Sequence, residues 1–353
     1  MGRNFIKIGK RKVGFNKPVF IIAEAGVNHN GSFKLAKKLI DAAAKAGADA
    51  IKFQTFRAEQ VVTASGKMAE YQRRNLGAGK SQLAMLKGLE LKERYYPELI
   101  KRAKAKKIIF FSTPHGGPVS VDLLQSFGTP AFKFGSGDLT NLPLLQYAAK
   151  FKKPMIISTG MATLTEVEDA VSAIKKAGNN KIVVLHCTTS YPCPPDEVNL
   201  RSMRTIVKKI RTLVGYSDHT ANAQASLMAA TLGACIIEKH FTLDRALPGP
   251  DQKASMEPAE FKQMVEQLKN INSILGSSVK KPSRNELRYL PIVRKSIVAA
   301  RNILKGERLT EKNLTVKRPG TGLEPKYYFK VLGSKAVKNI KADVLISKND
   351  FQK

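Results

Sequence analysis

The chain has 353 residues, is 43% hydrophobic and carries 60 Lys and Arg against 28 Asp and Glu, for a formal net charge of +32. That length and apolar content supply a core for one barrel-sized domain or two smaller ones, while no apolar run approaches the ~18 residues of a membrane span. The charge favours an anionic partner, but Lys and Arg are spread along the whole chain, Trp is absent and no zinc-finger or RNA-binding motif occurs, which argues against nucleic acid.

In chain order, residues 1–17 predict a short strand or hairpin; they are basic but lack the apolar centre and cleavage site of a signal peptide. Val19–Ala25 is a buried-strand run and Asn28-His29-Asn30-Gly31 a polar turn. Ser32 then caps a helix whose Leu35, Leu39, Ala43 and Ala46 keep helical spacing until Gly47. Strand two, Ala50–Gln54, completes a βαβ unit. The pattern repeats through Ile108–Ser112, Ala131–Phe134, Met155–Ser158, Ile182–His186, Leu213–Tyr216 and Cys235–Glu238. A polar, Gly-containing insertion over residues 64–82, ahead of a helix from Lys92 to Lys106, is the exception.

Eight strands alternating with helices over about 260 residues match a (β/α)8 TIM barrel. An open doubly wound sheet is the alternative, but no GxGxxG follows the first strand. A helix over Pro258–Leu275 closes the barrel domain, residues 1–280. The Ser-, Lys- and Pro-rich stretch after it reads as a linker, 281–292, and 293–353 as a small, mostly β domain built from Ser296–Ala300, Leu314–Lys317, Lys335–Val337 and Val344–Ser347. Cys187, Cys193 and Cys235 are odd in number and show no CxxC spacing, so reduced thiols and a cytoplasmic protein are expected.

In such a barrel the chemistry collects where strands end. All five histidines (His29, His115, His186, His219, His240) fall at or just after a strand end; a structural explanation covers one or two, such as His186. His219 and His240 end neighbouring strands, and a pair of imidazoles near oxygens suits a divalent first-row metal with positions open for a substrate oxygen. Lys52 and Lys133, on buried strands, need an anionic partner. Around them the hydroxyls of Ser112-Thr113, Ser136, Ser158-Thr159, Thr188-Thr189-Ser190 and Ser217, with glycine-bordered amides, are suited to cradle a phosphate. Taken singly, Lys52 reads as a snorkelling residue, Ser136 or Ser158 as a turn former and Asp138 as a helix cap. Their convergence on one rim favours a site for an anionic substrate beside a metal.

The stretches Ile22–Gly31, Ile51–Thr55, Phe132–Asp138, Ser158–Met161, Gly215–Thr220, Glu238–Thr242 and Gly249–Ser255 together resemble the N-acetylneuraminate (sialic acid) synthase family. Arg294–Ala300 and Lys317–Gly322 resemble the antifreeze-like (SAF) domain that follows the barrel in those enzymes. The resemblance implies an enzyme that condenses phosphoenolpyruvate with an N-acylated mannose-type sugar, N-acetylmannosamine first, releasing phosphate and giving a nine-carbon 2-keto acid. His219 and His240 would then hold Mn2+, with Mg2+ or Co2+ as the other candidates. Lys52, Thr113, Lys133, Ser136, Ser158, Thr189 and Ser217 would surround phosphoenolpyruvate, and Glu24, Gln54, Asp138, Tyr191 and Asp251 the sugar. Glu24 would handle the proton or activate water.

Arg318 matches an arginine that reaches the acceptor of a partner subunit, so a homodimer with swapped SAF domains is implied. Asp138 stands where the family often has Glu, and Thr188-Thr189-Ser190-Tyr191 is closer to legionaminic acid synthases. The same chemistry on a 2,4-diacetamido-trideoxyhexose or on N-acetylmannosamine 6-phosphate is therefore the alternative; a non-enzymatic polyanion-binding protein is the other.

Overall fold

The computed structural model describes residues 5–76 and 81–353, so part of the expected 64–82 insertion lies outside the described residues. The chain divides into two compact units, Met1–Gly276 and Ser277–Lys353.

The first unit opens with an antiparallel hairpin of β1 (Phe5–Ile8) and β2 (Arg11–Gly14). Eight parallel strands follow: β3 (Phe20–Gly26), β4 (Ala50–Thr55), β5 (Ile109–Pro114), β6 (Phe132–Phe134), β7 (Met155–Ser158), β8 (Ile182–Cys187), β9 (Leu213–Asp218) and β10 (Ile236–His240). Their order is β5-β4-β3-β10-β9-β8-β7-β6. The three-residue β6 packs against β5, closing the ring into the expected barrel. All eight strands fall where the apolar runs of the sequence placed them, within one or two residues at most ends.

Helices separate the strands. The first, α1 (Phe33–Lys45), is capped by the Ser32 hydroxyl and buries Ala36, Leu39, Ile40 and Ala43, leaving Leu35 half-buried at the edge of that stripe. The insertion after β4 carries α2 (Ala58–Val61), α3 (Glu70–Leu76) and α4 (Gln82–Leu89). These make their own small core from Val27, Phe56, Ala58, Met68, Met85, Leu86 and Leu89. Between β4 and β5 the expected Lys92–Lys106 helix is a turn of 3-10 helix followed by α5 (Tyr96–Ala105). The remaining helices, α6 (Gly117–Ser126), α7 (Leu142–Ala149), α8 (Leu164–Lys176), α9 (Ser202–Ile210), α10 (Gln224–Thr231) and α11 (Pro258–Leu275), pack around the ring.

Period-two alternation decides what the barrel encloses. The lower interior is apolar: Phe20 and Ile22 of β3, Phe111 of β5, Ile156 of β7, Val183 and Leu185 of β8 and Ile236 of β10 form one cluster. Ile6, Ile8 and Val13 of the hairpin join it and plug the floor. Two residues further along the same faces the interior turns polar, with Glu24, Lys52, Thr113, Lys133, Ser158, Ser217 and Glu238 all buried.

In the second unit the stretch expected as a linker, 281–292, carries a helix instead. Ser283 and Glu286 form a capping box that starts α12 (Arg284–Val293), a local signal stronger than the Pro and Lys content around it. Strand β11 (Ser296–Ala299) pairs antiparallel with β12 (Leu314–Lys317). After the short helix α13 (Tyr328–Val331), β13 (Lys335–Ala336) pairs with β14 (Phe351–Gln352). The expected strand over Val344–Ser347 is corrected: that stretch makes one isolated bridge, Leu345 to Val298, and the last strand comes later. Ile297, Ile303, Leu309, Leu314, Val331, Ile340 and Ile346 are the core of this unit. Among the described residues no helix is long and apolar enough to cross a membrane.

Candidate active site

A cavity of about 230 Å³ opens at the C-terminal end of the barrel strands. Glu24, Lys52, Gln54, Thr113, Lys133, Ser136 and Ser158 line it, together with Thr189, Tyr191, Ser217, His219, His240 and Asp251. These are the residues expected from the sequence with two exceptions. Asp138 does not line the cavity; its carboxylate lies 3.0 Å from Nδ1 of His115, which does, so the shorter side chain is tied behind an imidazole. Arg318 belongs to the second unit, where its Nε donates to the Val293 carbonyl.

At the base of the cavity two lysines meet two carboxylates. Lys52 Nζ lies 2.7 Å from Glu24 and donates to Thr113 Oγ1 at 2.9 Å. Lys133 Nζ lies 3.1 Å from Glu238, which also accepts from Ser217 Oγ at 3.2 Å. The pairing answers the need for an anionic partner that the buried lysines announced, and Glu238 was missed by sequence reasoning. A signal existed: Glu238 is two residues before His240 on one strand, so both share the inward face.

Their environments push the four groups apart. Burial raises the Glu24 carboxyl from 4.5 to about 7, with Glu238 adding to the rise and Lys52 opposing it. Burial also works to raise Glu238, but Lys133 and Lys52 outweigh it and hold that carboxylate below its usual range. Burial disfavours both ammonium groups; it wins at Lys133, whose pKa is lowered, and loses at Lys52 to the charges of Glu238 and Glu24.

Backbone geometry makes room for this set. The β3–β4 register shifts between Glu24 and Gly26, and Gly26 sits at φ +49 with its absent side chain facing the Glu24 carboxylate. Gly160 donates its N–H to Ser136 Oγ at 2.9 Å, and a Cβ there would collide with the Thr189 and Ser136 hydroxyls. The buried Ser158 hydroxyl has no hydrogen-bond partner among the described residues and faces the same hollow. Hydroxyls and an open backbone of this kind suit phosphate oxygens.

The two strand-end imidazoles come together as expected, with ring centroids 5.4 Å apart. His219 Nδ1 lies 2.7 Å from the Thr188 carbonyl, which fixes its proton there and leaves Nε2 as a lone pair 3.2 Å from the Tyr191 hydroxyl. Burial, with the charges of His219 and the lysines, holds the pKa of His240 well below the usual histidine value, so its ring is neutral; its Nδ1 is buried without a partner among the described residues. Burial disfavours charge on His219 too, but the negative charge of a Cys187 thiolate beside it and its hydrogen bond reverse the direction. His115 also lines the cavity. The remaining two histidines are structural: His29 Nδ1 accepts from the Gly31 amide, and His186 Nε2 lies 2.8 Å from the Val198 carbonyl.

The insertion roofs the cavity. Tyr71 of α3 packs against Tyr191 with the rings tilted and their centroids 4.9 Å apart, Met85, Leu86 and Leu89 of α4 add an apolar wall, and Asn75 Nδ2 donates to the Pro250 carbonyl at 2.7 Å. Sequence reasoning saw only an insertion here, since a short helix without a buried stripe leaves no periodic signal.

The model of the NeuB family matches residues 39–280, and that of the SAF domain matches residues 294–352. The chain belongs to the NeuB family. Among its relatives is the N,N'-diacetyllegionaminic acid synthase of Campylobacter jejuni, 48% identical over 94% of this chain and 99% of the other. The enzyme of the same name from Legionella pneumophila is 44% identical over 97% of each chain. The crystal structure of spore coat polysaccharide biosynthesis protein SpsE from Bacillus subtilis superposes with a TM-score of 0.68 at 35% identity, covering 99% of both chains. As a NeuB family member the chain is an enzyme of the condensing synthase type, barrel plus SAF domain, as the sequence implied. Its place in that family sets aside the polyanion-binding alternative.

Proposed function

We propose that the chain condenses phosphoenolpyruvate with a 2,4-diacetamido-trideoxyhexose, releasing phosphate and forming a legionaminic-type nine-carbon 2-keto acid. The observation that carries the chemistry is the Lys52–Glu24 and Lys133–Glu238 quartet lying under a hydroxyl cradle, with two imidazoles above it. The acceptor reading rests on the two legionaminic acid synthases that match nearly end to end. It also fits the wall: Val27, Val61, Met85, Leu86 and Leu89 offer apolar surface to acetyl and deoxy methyl groups. The lysines lining the cavity among the described residues are Lys52 and Lys133, both at its base, so the chain's own cavity brings no further lysine or arginine to a sugar 6-phosphate.

Lys52 and Lys133 neutralise the carboxylate and phosphate of phosphoenolpyruvate, and the Ser136, Ser158 and Ser217 hydroxyls orient its oxygens. The methylene carbon attacks the open-chain sugar aldehyde, whose π electrons move to its oxygen and are protonated there to a hydroxyl, and positive character develops at C2. Water adds there, and the tetrahedral intermediate loses phosphate by carbon–oxygen cleavage. Glu24, with a pKa near 7, accepts the proton that the attacking water gives up.

His219 and His240 fit a divalent metal such as Mn2+. One presents a lone pair fixed by a carbonyl behind it, and the other a buried nitrogen that no group among the described residues satisfies. No group of three or more His, Cys, Asp and Glu forms a cage among the described residues, so two protein ligands leave open positions. A bound metal would supply Lewis-acid polarisation of the aldehyde oxygen.

The same reading makes the working form a cytoplasmic homodimer in which Arg318 of the partner subunit completes acceptor binding. The decisive experiment offers the purified protein phosphoenolpyruvate, Mn2+ and a mixture of N-acetylmannosamine, its 6-phosphate and the diacetamido sugar. Phosphate release and a product mass for the diacetamido acceptor are expected; release with none of the three overturns the proposal.

A further inference from the structure

The loop after β5 brings His115 to the mouth of the cavity, and the turn after β6 places Asp138 behind it, Oδ2 3.0 Å from the ring Nδ1. A carboxylate accepts, so in the neutral ring the proton sits on Nδ1 and Nε2 is left as a hydrogen-bond acceptor. The ring is about one-third exposed (32%), whereas Asp138 is largely covered (14%), as suits a support behind a working group. His115 also stands edge-on to Phe56 at 6.3 Å, which ties it to the apolar wall that Val27, Met85, Leu86 and Leu89 form with Phe56.

Position gives this imidazole a role. In the eight-strand ring β5 lies four strands from β9 in either direction, so His115 faces His219 across the mouth. If the aldehyde carbon is held on the His219–His240 side, as the proposed function requires, the far carbons of the hexose point toward His115. There the cavity offers one acceptor nitrogen beside an apolar wall. The matching chemistry is an N–H whose acyl group carries a methyl; a hydroxyl satisfies the ring but leaves the wall uncovered.

We propose that His115, held by the positioning residue Asp138, accepts the N–H of the acylamino group at C4 of the acceptor and so selects a diacetamido sugar. This inference rests on the proposed function and adds the residue pair that reads the substituent. Neither residue takes part in bond making, so the effect belongs in acceptor recognition.

The test is a cycle between side chain and substrate, using the full-length protein with the diacetamido sugar and its 4-deoxy analogue. Wild type should prefer the parent sugar by about tenfold or more in kcat/KM, as expected when a charge-supported hydrogen bond and a methyl contact are both lost. In His115→Phe that preference should shrink to about threefold or less, because the ring nitrogen is gone while the wall remains. His115→Gln should keep more of it than His115→Phe, since an amide oxygen can accept the same N–H. Asp138→Asn should act through the KM of the sugar, with little change in kcat or in the KM of phosphoenolpyruvate. If His115→Phe does not fold, the Gln and Asn variants complete the cycle. Wild type that turns over both sugars equally, or variants that keep the wild-type preference, overturn this inference alone. No phosphate release by wild type with any acceptor overturns the proposed function instead.

Discussion

Glu24 and Lys52 stand directly opposite each other on the β3–β4 ladder, and their side chains close to 2.7 Å inside the barrel. The pair leaves Glu24 poised near neutrality while Lys52 stays charged, because burial acts on both but the surrounding carboxylates favour only the ammonium. Replacing Glu24 by Gln keeps the shape and removes the base. Steady-state phosphate release should show kcat lower by about 10²–10⁴. In wild type kcat should climb as pH rises through about 7, where the carboxyl loses its proton, and the variant should lose that limb. A variant within threefold of wild type rules Glu24 out of the proton step.

Lys133 and Glu238 are a second buried pair, and breaking one member strands the other. Lys133→Met should lower stability by about 3–5 kcal/mol, whereas replacing both residues by apolar ones of similar size should recover most of it. Urea midpoints of the single and double variants decide the point. Equal losses in both would mean that the pair contributes through packing alone.

Metal binding is separable from turnover. His219→Ala and His240→Ala should each abolish saturable Mn2+ binding followed by calorimetry, in the absence of either substrate. Chelation of the wild type should stop phosphate release, and added Mn2+ should restore it. Undiminished Mn2+ affinity in both variants would place the ion elsewhere.

His29 predicts an acid limb of stability that has nothing to do with catalysis. Burial lowers its pKa from 6.5 to about 4, so between those values the unfolded chain binds the extra proton and stability falls as pH drops below 6.5. The full loss is about 3 kcal/mol, and below about pH 4 it levels off. Thermal melts of His29→Gln across that range should show a shallower decline than wild type. Identical slopes would assign the acid sensitivity to other groups.

The barrel was legible because each strand is a short apolar run bounded by turn residues, and an apolar run needs no knowledge of its neighbours. The site was legible to the extent that inward faces follow the period of two: His219, His240, Lys52 and Lys133 all point where alternation puts them. What alternation cannot supply is pairing. Glu24 meets Lys52 because β3 and β4 are adjacent in register, but Glu238 meets Lys133 across the barrel interior, between strands that share no ladder. The attachment of Asp138 to His115 has the same origin, since two loops from opposite sides of the seam decide it. The helix over Arg284–Val293 was hidden for a different reason: its capping box was present, but no buried stripe follows it.

The β1–β2 hairpin fills the barrel floor, so the cavity opens toward the C-terminal ends of the strands. Lys52 and Lys133 sit at the inner end of the cavity, so in the proposed reaction the enol phosphate should be seated before the sugar arrives above it. Initial-velocity and product-inhibition kinetics of the proposed reaction should therefore be ordered, with enol phosphate before sugar, and a hairpin remote from every reacting atom contributes to that order by closing the opposite end.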